Sequence, residues 1–136
     1  MRLQYFLDTD MVIYIKNHRP PQVLERFSTL KPGTMGISVI SYGELVRGAE
    51  RSAYKQRNLK KLEQIIDIIP VQPMHQDAGF LYGEIRTCLE KQGNIIGNND
   101  LWVAAHAVAL GVTLVTNNTK EFSRVSGLNI ENWVSR

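Results

Sequence analysis

The apolar positions of this chain fall into short runs of two kinds. Leu3 to Leu7 is a β-prone run that closes on Asp8, and Met35 to Val39 and Val112 to Val115 are similar, so three buried strands are predicted. Ile68 to Val71, beside Pro70 and Pro73, predicts a further short strand, and Leu128 to Val134 an edge strand. Between the strands, apolar residues recur at helical spacing. Met11 to Lys16 gives a turn or two of helix, stopped near His18-Arg19-Pro20-Pro21, and Gln22 to Leu30 carries Val23, Leu24 and Phe27 inward. A helix follows the second strand through Glu50, and Lys55 to Asp67 repeats Leu59, Leu62, Ile65 and Ile66. Asp77 to Gln92 sets Phe80, Leu81, Ile85 and Leu89 on one face, with Gly93 as its stop, and Lys120-Glu121-Phe122 begins a last turn. Strands and helices alternate throughout. This predicts a three-layer α/β/α fold with a mostly parallel sheet, one domain over residues 1–136.

The stretch from Ile96 to Ala107 stands out. Gly97, Asn98 and Asn99 are turn residues, and either asparagine can cap a helix through its side-chain oxygen. From Leu101 to Leu110 nearly every residue is small or apolar, so the helix has little room for a solvated face. Asp100 sits where that helix begins, where exposed amides and the helix dipole favour a charged carboxylate.

Composition narrows the class. The chain has 136 residues, 43% of them hydrophobic and 21% charged, which is ordinary for a globular domain. No apolar run approaches the roughly 20 residues that cross a bilayer, and Asp8 comes too early for a signal peptide. A bacterial cytoplasmic protein is expected. The one cysteine, Cys88, excludes an internal disulfide, and its spacing from Ile85 and Leu89 suggests a small core residue. Sixteen Lys and Arg against 13 Asp and Glu give a formal charge of +3. The bases gather between Arg47 and Lys61, as a solvated helix face or as a phosphate-binding one, with Arg47 and Arg51 the candidates for phosphate contact.

Four acids, Asp8, Glu44, Asp100 and Glu121, fall at element ends or on a helix near one. Converging carboxylates repel unless a hard cation such as Mg²⁺ or Mn²⁺ neutralises them, and such an ion can activate water against a phosphodiester. Each acid also has a plain structural reading. Ser41-Tyr42-Gly43-Glu44 matches a capping box, Glu121 suits a first helical turn, and Asp8 a strand-end turn. His106, on an apolar helix, reads as a packed histidine.

The chain resembles the PIN-domain proteins, and among them the VapC-type toxins of bacterial toxin–antitoxin pairs. The matching segments are Phe6 to Asp10, Ile37-Ser38 leading to Glu44 to Glu50, Ile96 to Ala107, Leu114 to Phe122, and the close from Leu128 to Trp133. The resemblance implies a metal-dependent endoribonuclease that inhibits translation. Asp8 and Asp100 then match the principal metal ligands, Glu44 the glutamate on the helix after the second strand, and Glu121 the late acid before a phenylalanine. Thr9 is a candidate for hydrogen-bonding the site or for a plain turn role, and Asn118 is a candidate for site support. Asn118 stands where many members carry an aspartate, and Asp10 where asparagine is more usual. The same resemblance implies a VapB-type antitoxin that inserts a peptide into the acidic groove and itself binds operator DNA, a homodimeric toxin, and a tRNA substrate such as initiator tRNA, cut in the anticodon loop.

Two other readings fit parts of the sequence. Leu7 to Val12 also resembles the first motif of haloacid-dehalogenase-type phosphatases, with Asp8 as nucleophile and Asp10 as acid/base, but their late acidic pair would need an acid at Asn98. A non-catalytic nucleic-acid-binding or regulatory module would suit the basic run, yet bare carboxylates repel phosphate.

Overall fold

The computed structural model describes residues 2–134. Strand β1 (Tyr5–Leu7) lies at the centre of a five-stranded sheet, and the helices α1 (Thr9–Asn17) and α2 (Pro21–Ser28) follow it. Next come β2 (Met35–Ser38), α3 (Val39–Glu50), α4 (Lys55–Ile68) and β3 (Val71–Gln72). After them stand α5 (Gln76–Lys91), α6 (Asn98–Leu110), β4 (Thr113–Val115), α7 (Thr119–Phe122) and β5 (Ile130–Glu131). The strand order is β3-β2-β1-β4-β5 and every pairing is parallel. The fold is the three-layer α/β architecture that the alternation predicts.

Alternation along the strands divides the core in two. Phe6 and Leu114 point to one face, where Leu101, Val103, Ala104 and Ala107 of α6 meet Leu89 of α5 and Phe122 of α7. Leu7 and Val115 point to the other, against Met11, Val12 and Ile15 of α1 and Val23 of α2. Two helical layers are therefore held by one short sheet, and single residues decide each side.

The order of connection places the site. From β1 the chain winds outward to β2 and β3, then returns to the opposite side of β1 for β4 and β5. The winding reverses between β1 and β4, the switch point at which sheets of this kind hold their site crevice, beyond the carboxyl ends of those two strands. Asp8 follows β1 there, Thr116 follows β4, and α6 begins nearby.

Several local expectations change. The third strand, β3, is shifted from the expected Ile68–Val71 to Val71–Gln72, because α4 continues through Ile68 and only the later pair reaches Ile37 and Ser38. Phe80 is 71% exposed and Cys88 is exposed too, rather than packed in the core. The apolar arc of α5 is wider than its contact, and only the sector through Ala78, Tyr82, Ile85 and Leu89 faces the interior. Gly97, not an asparagine, caps α6, and it does so without a side-chain bond. Finally, α3 starts earlier than a capping box at Ser41 requires. Ser38 is its N-cap and accepts from the Ile40 amide at 3.2 Å, which leaves Glu44 free of that duty.

Candidate active site

Asp8 is the first residue after β1 and the N-cap of α1. Its amide continues the ladder to the Val115 carbonyl at 2.9 Å, and the side chain is only 8% exposed. One carboxylate oxygen accepts from the Thr9 amide at 2.9 Å, and the other from the Thr116 hydroxyl at 2.9 Å. Burial pushes the carboxyl's pKa up, and the two hydrogen bonds oppose that push. Thr116 is not among the sequence candidates. The signal for it is register: since Leu7 pairs with Val115, the next residues of the two strands, Asp8 and Thr116, lie side by side.

Asp100 enters from the first turn of α6, its Oδ2 against the α carbon of Gly97, where an added Cβ would lie 3.4 Å away. The sequence reading expects the helix end to keep it charged, and the structure reverses that. Burial, a hydrogen bond with Glu121 that requires a shared proton, and the charges of Asp8, Glu121 and Glu44 push its pKa up to about 7. Asp8, Glu44 and Glu121 thus all bear on Asp100 in one crevice. Chain distance hid this convergence, and packing supplies it.

The flanking residues hold two of these acids. Thr9 donates from its hydroxyl to Glu44 Oε1 at 3.2 Å, and Asn118 donates from Nδ2 to Glu121 Oε2 at 3.1 Å. Asn118 is itself fixed by its amide to the Thr116 hydroxyl at 3.0 Å. Asp10 Oδ2 accepts from the Asn117 amide at 3.3 Å, tying α1 to the loop after β4. Its Oδ1 is buried and, among the described residues, has no partner. Burial first and the Asp8 charge second push the Asp10 pKa up to about 6. Arg47 and Arg51 lie exposed at the far end of α3, and neither takes part in an ion pair among the described residues.

The arrangement suits a hard cation with an open coordination sphere. Among the described residues no three His, Cys, Asp or Glu side chains form a ready-made cage. Mg²⁺ does not ask for one, since it keeps several waters and takes one or two carboxylates. Among the described residues no Lys, Arg or His forms an ion pair with any of the four acids, so the repulsion on Asp100 has no protein cation in direct contact to relieve it.

Residues 5–128 match the PIN domain family. The chain belongs to that family. Within it, this PIN protein is 44% identical to ribonuclease VapC2 of Haemophilus influenzae, over 97% of the chain and 99% of the relative. It is 40% identical to the tRNA(fMet)-specific endonuclease VapC of Shigella flexneri, over 96% and 98%. A crystal structure of VapBC2 from Rickettsia felis, bound to a DNA fragment from its promoter, superimposes with a TM-score of 0.89 at 39% identity, over 96% of this chain and 99% of that one. Membership of this family sets the phosphatase reading aside.

Proposed function

We propose that this chain is the toxin of a toxin–antitoxin pair: an Mg²⁺- or Mn²⁺-dependent endoribonuclease that stops translation by cutting RNA, with a tRNA as the leading substrate. The observation that carries the reading is the convergence of Asp8, Glu44 and Glu121 on Asp100 at the β1/β4 switch point. Asp8 and Asp100 would hold the ion. When bound, it would supply an activated water and neutralise the charge that develops on the phosphodiester. The chain's own residues do the rest. Thr116 and the Thr9 amide fix both oxygens of Asp8, so its direction does not depend on the ion. Thr9 aims Glu44 and Asn118 aims Glu121, which sets two further carboxylates at the rim to orient water or to take up a proton.

The acidic crevice also suits a cationic peptide, and a VapB-type antitoxin is the expected source. Operator DNA is reached through that partner, in keeping with the Rickettsia relative, whose VapBC pair is bound to promoter DNA. We further place the protein in the bacterial cytoplasm as a homodimer; no described helix is long and apolar enough to cross a membrane. The tRNA(fMet) specificity of the Shigella relative makes initiator tRNA the first substrate to try. An anticodon loop is a sensible target because its unstacked bases are readable. Sequencing of RNA ends after induction tests the reading. New ends at one loop, lost on co-expression of the adjacent antitoxin, are expected. Growth arrest without new RNA ends would overturn it.

A further inference from the structure

On the solvent side of the contact between α5 and α6, Tyr82 and Trp102 stack almost parallel, with ring centroids 3.8 Å apart and planes 10° off. Both rings are half-buried, and Asn98 and Arg86 beside them are exposed. The Tyr82 hydroxyl donates to Asn98 Oδ1. Arg86 Nη1 donates to the Tyr82 hydroxyl at 2.7 Å and to Asn98 Oδ1 at 3.4 Å, and its Nε donates to Glu90 at 3.4 Å. These bonds engage Nε and Nη1. The Nη2 hydrogens have no acceptor among the described residues.

Interior packing accounts for only part of the group: Tyr82 rests on the core, while Trp102 is half-buried and Arg86 and Asn98 stand exposed beside it. The rings that pack in the core, Phe6 on His106 and Tyr5 on Trp133, meet edge to face. The parallel pair is half-buried, is braced at its hydroxyl end, and carries a guanidinium 6.0 Å from the Tyr82 centroid. A half-exposed indole with one free guanidinium nitrogen and an amide at its rim matches an unpaired nucleotide, whose base stacks and whose phosphate or ring edge accepts. Its place fits as well. Asn98 and Trp102 share one face of α6, and Asp100 starts from the other side of the same turns. One helix width, about 10–12 Å, therefore separates the stack from the acids.

We propose that Tyr82, Trp102 and Arg86 form a platform that receives an unpaired base of the RNA a short way from the bond being cut. This deepens the ribonuclease reading and rests on it for the identity of the strand. A duplex keeps its base faces covered, so the platform selects single-stranded or looped RNA.

The probe is a short single-stranded oligoadenylate, titrated into the Asp100→Asn chain so that nothing is cut. The other tryptophan, Trp133, is 4% exposed, so a change in emission reports Trp102. Quenching by the single strand but not by its duplex is expected. Tyr82→Leu and Arg86→Ala should each weaken binding about tenfold. Arg86 is exposed, so its variant keeps the fold if Tyr82→Leu does not. No quenching, or unchanged affinity in Arg86→Ala, would overturn the platform. Weakened antitoxin binding with unchanged RNA binding would also overturn it and assign the patch to the protein partner. The two readings fail separately. A chain that binds the oligonucleotide with quenching but cuts no RNA keeps the platform and loses the nuclease. A chain that cuts RNA with the same KM in both variants keeps the nuclease and loses the platform.

Discussion

One helix, α6, carries both His106 and Asp100 toward the sheet, and their surroundings are opposite. His106 is 1% exposed, and both ring nitrogens are paired: Nδ1 with the Ser38 hydroxyl at 2.9 Å, Nε2 with the Pro73 carbonyl at 3.1 Å. A carbonyl can only accept, so Nε2 carries the hydrogen and Nδ1 accepts from Ser38. Burial lowers the pKa of this ring and keeps it neutral. Asp100 is surrounded instead by acids: its hydrogen bond is with Glu121, and the charges of Asp8, Glu121 and Glu44 oppose its own. A buried polar group that is fully paired contributes stability, whereas one surrounded by its own sign is costly until something cationic arrives. The contrast separates scaffold from site on a single element.

The sharpest way to break the contrast is to remove each side chain. Asp100→Asn should lower RNA cleavage at least about a hundredfold and leave the metal-free melting temperature unchanged or higher, since one repelling charge has gone. His106→Ala should do the reverse. It should cost about 2–4 kcal/mol of stability, by leaving a void and two unpaired groups, while a folded sample still cuts. Thermal melts beside a cleavage assay read both, and a destabilised Asp100→Asn would merge the two regions into one.

Glu44→Gln extends the same test to a residue with two candidate roles. Because Ser38 caps α3, the melt should not move. Cleavage should fall about tenfold to a hundredfold, as for a misaligned residue around a metal. Retained activity would strike Glu44 from the site.

The two regions also respond oppositely to pH. Asp100 and Asp10 have folded pKa values near 7 and 6 against an ordinary 3.8. Between about pH 4 and 7 the folded chain therefore holds protons that the unfolded chain has lost, and stability falls as pH rises. His106 acts in the other sense. Its folded pKa lies below 6.5, so stability falls as pH drops below that value. Metal-free melts of Asp100→Asn should lose part of the first slope and keep the second. Mg²⁺ at pH 8 should raise the wild-type melt through mass action.

The smallest effect concerns the basic run. Replacing Arg47 and Arg51 together should flatten the salt dependence of RNA binding by roughly one to two units of slope if both meet phosphate. An unchanged slope would leave them as a solvated face.

Much of this was legible in the sequence, and the rest has physical reasons for hiding. Periodicity gave the parallel α/β class, because strands as short as Tyr5–Leu7 and Thr113–Val115 are buried on both faces and read as apolar runs. It misplaced Phe80 and Cys88, because a helix pattern shows which residues are apolar and not which sector its neighbour covers. The four acids were legible one by one, chiefly through resemblance to the family. Their mutual effect on Asp100 was not, since it arises only when β1, α3, α6 and α7 pack together. Thr116 and Asp10 were overlooked or left without a role because a hydroxyl or an extra acid at a strand end has no signature until the register is known.

The most direct test of the central claim, that this crevice awaits a cation, is cleavage of a defined RNA by the wild-type chain in excess chelator, followed by addition of Mg²⁺ or Mn²⁺. No cutting in chelator and recovery with metal are predicted. Undiminished cutting in chelator would contradict the account.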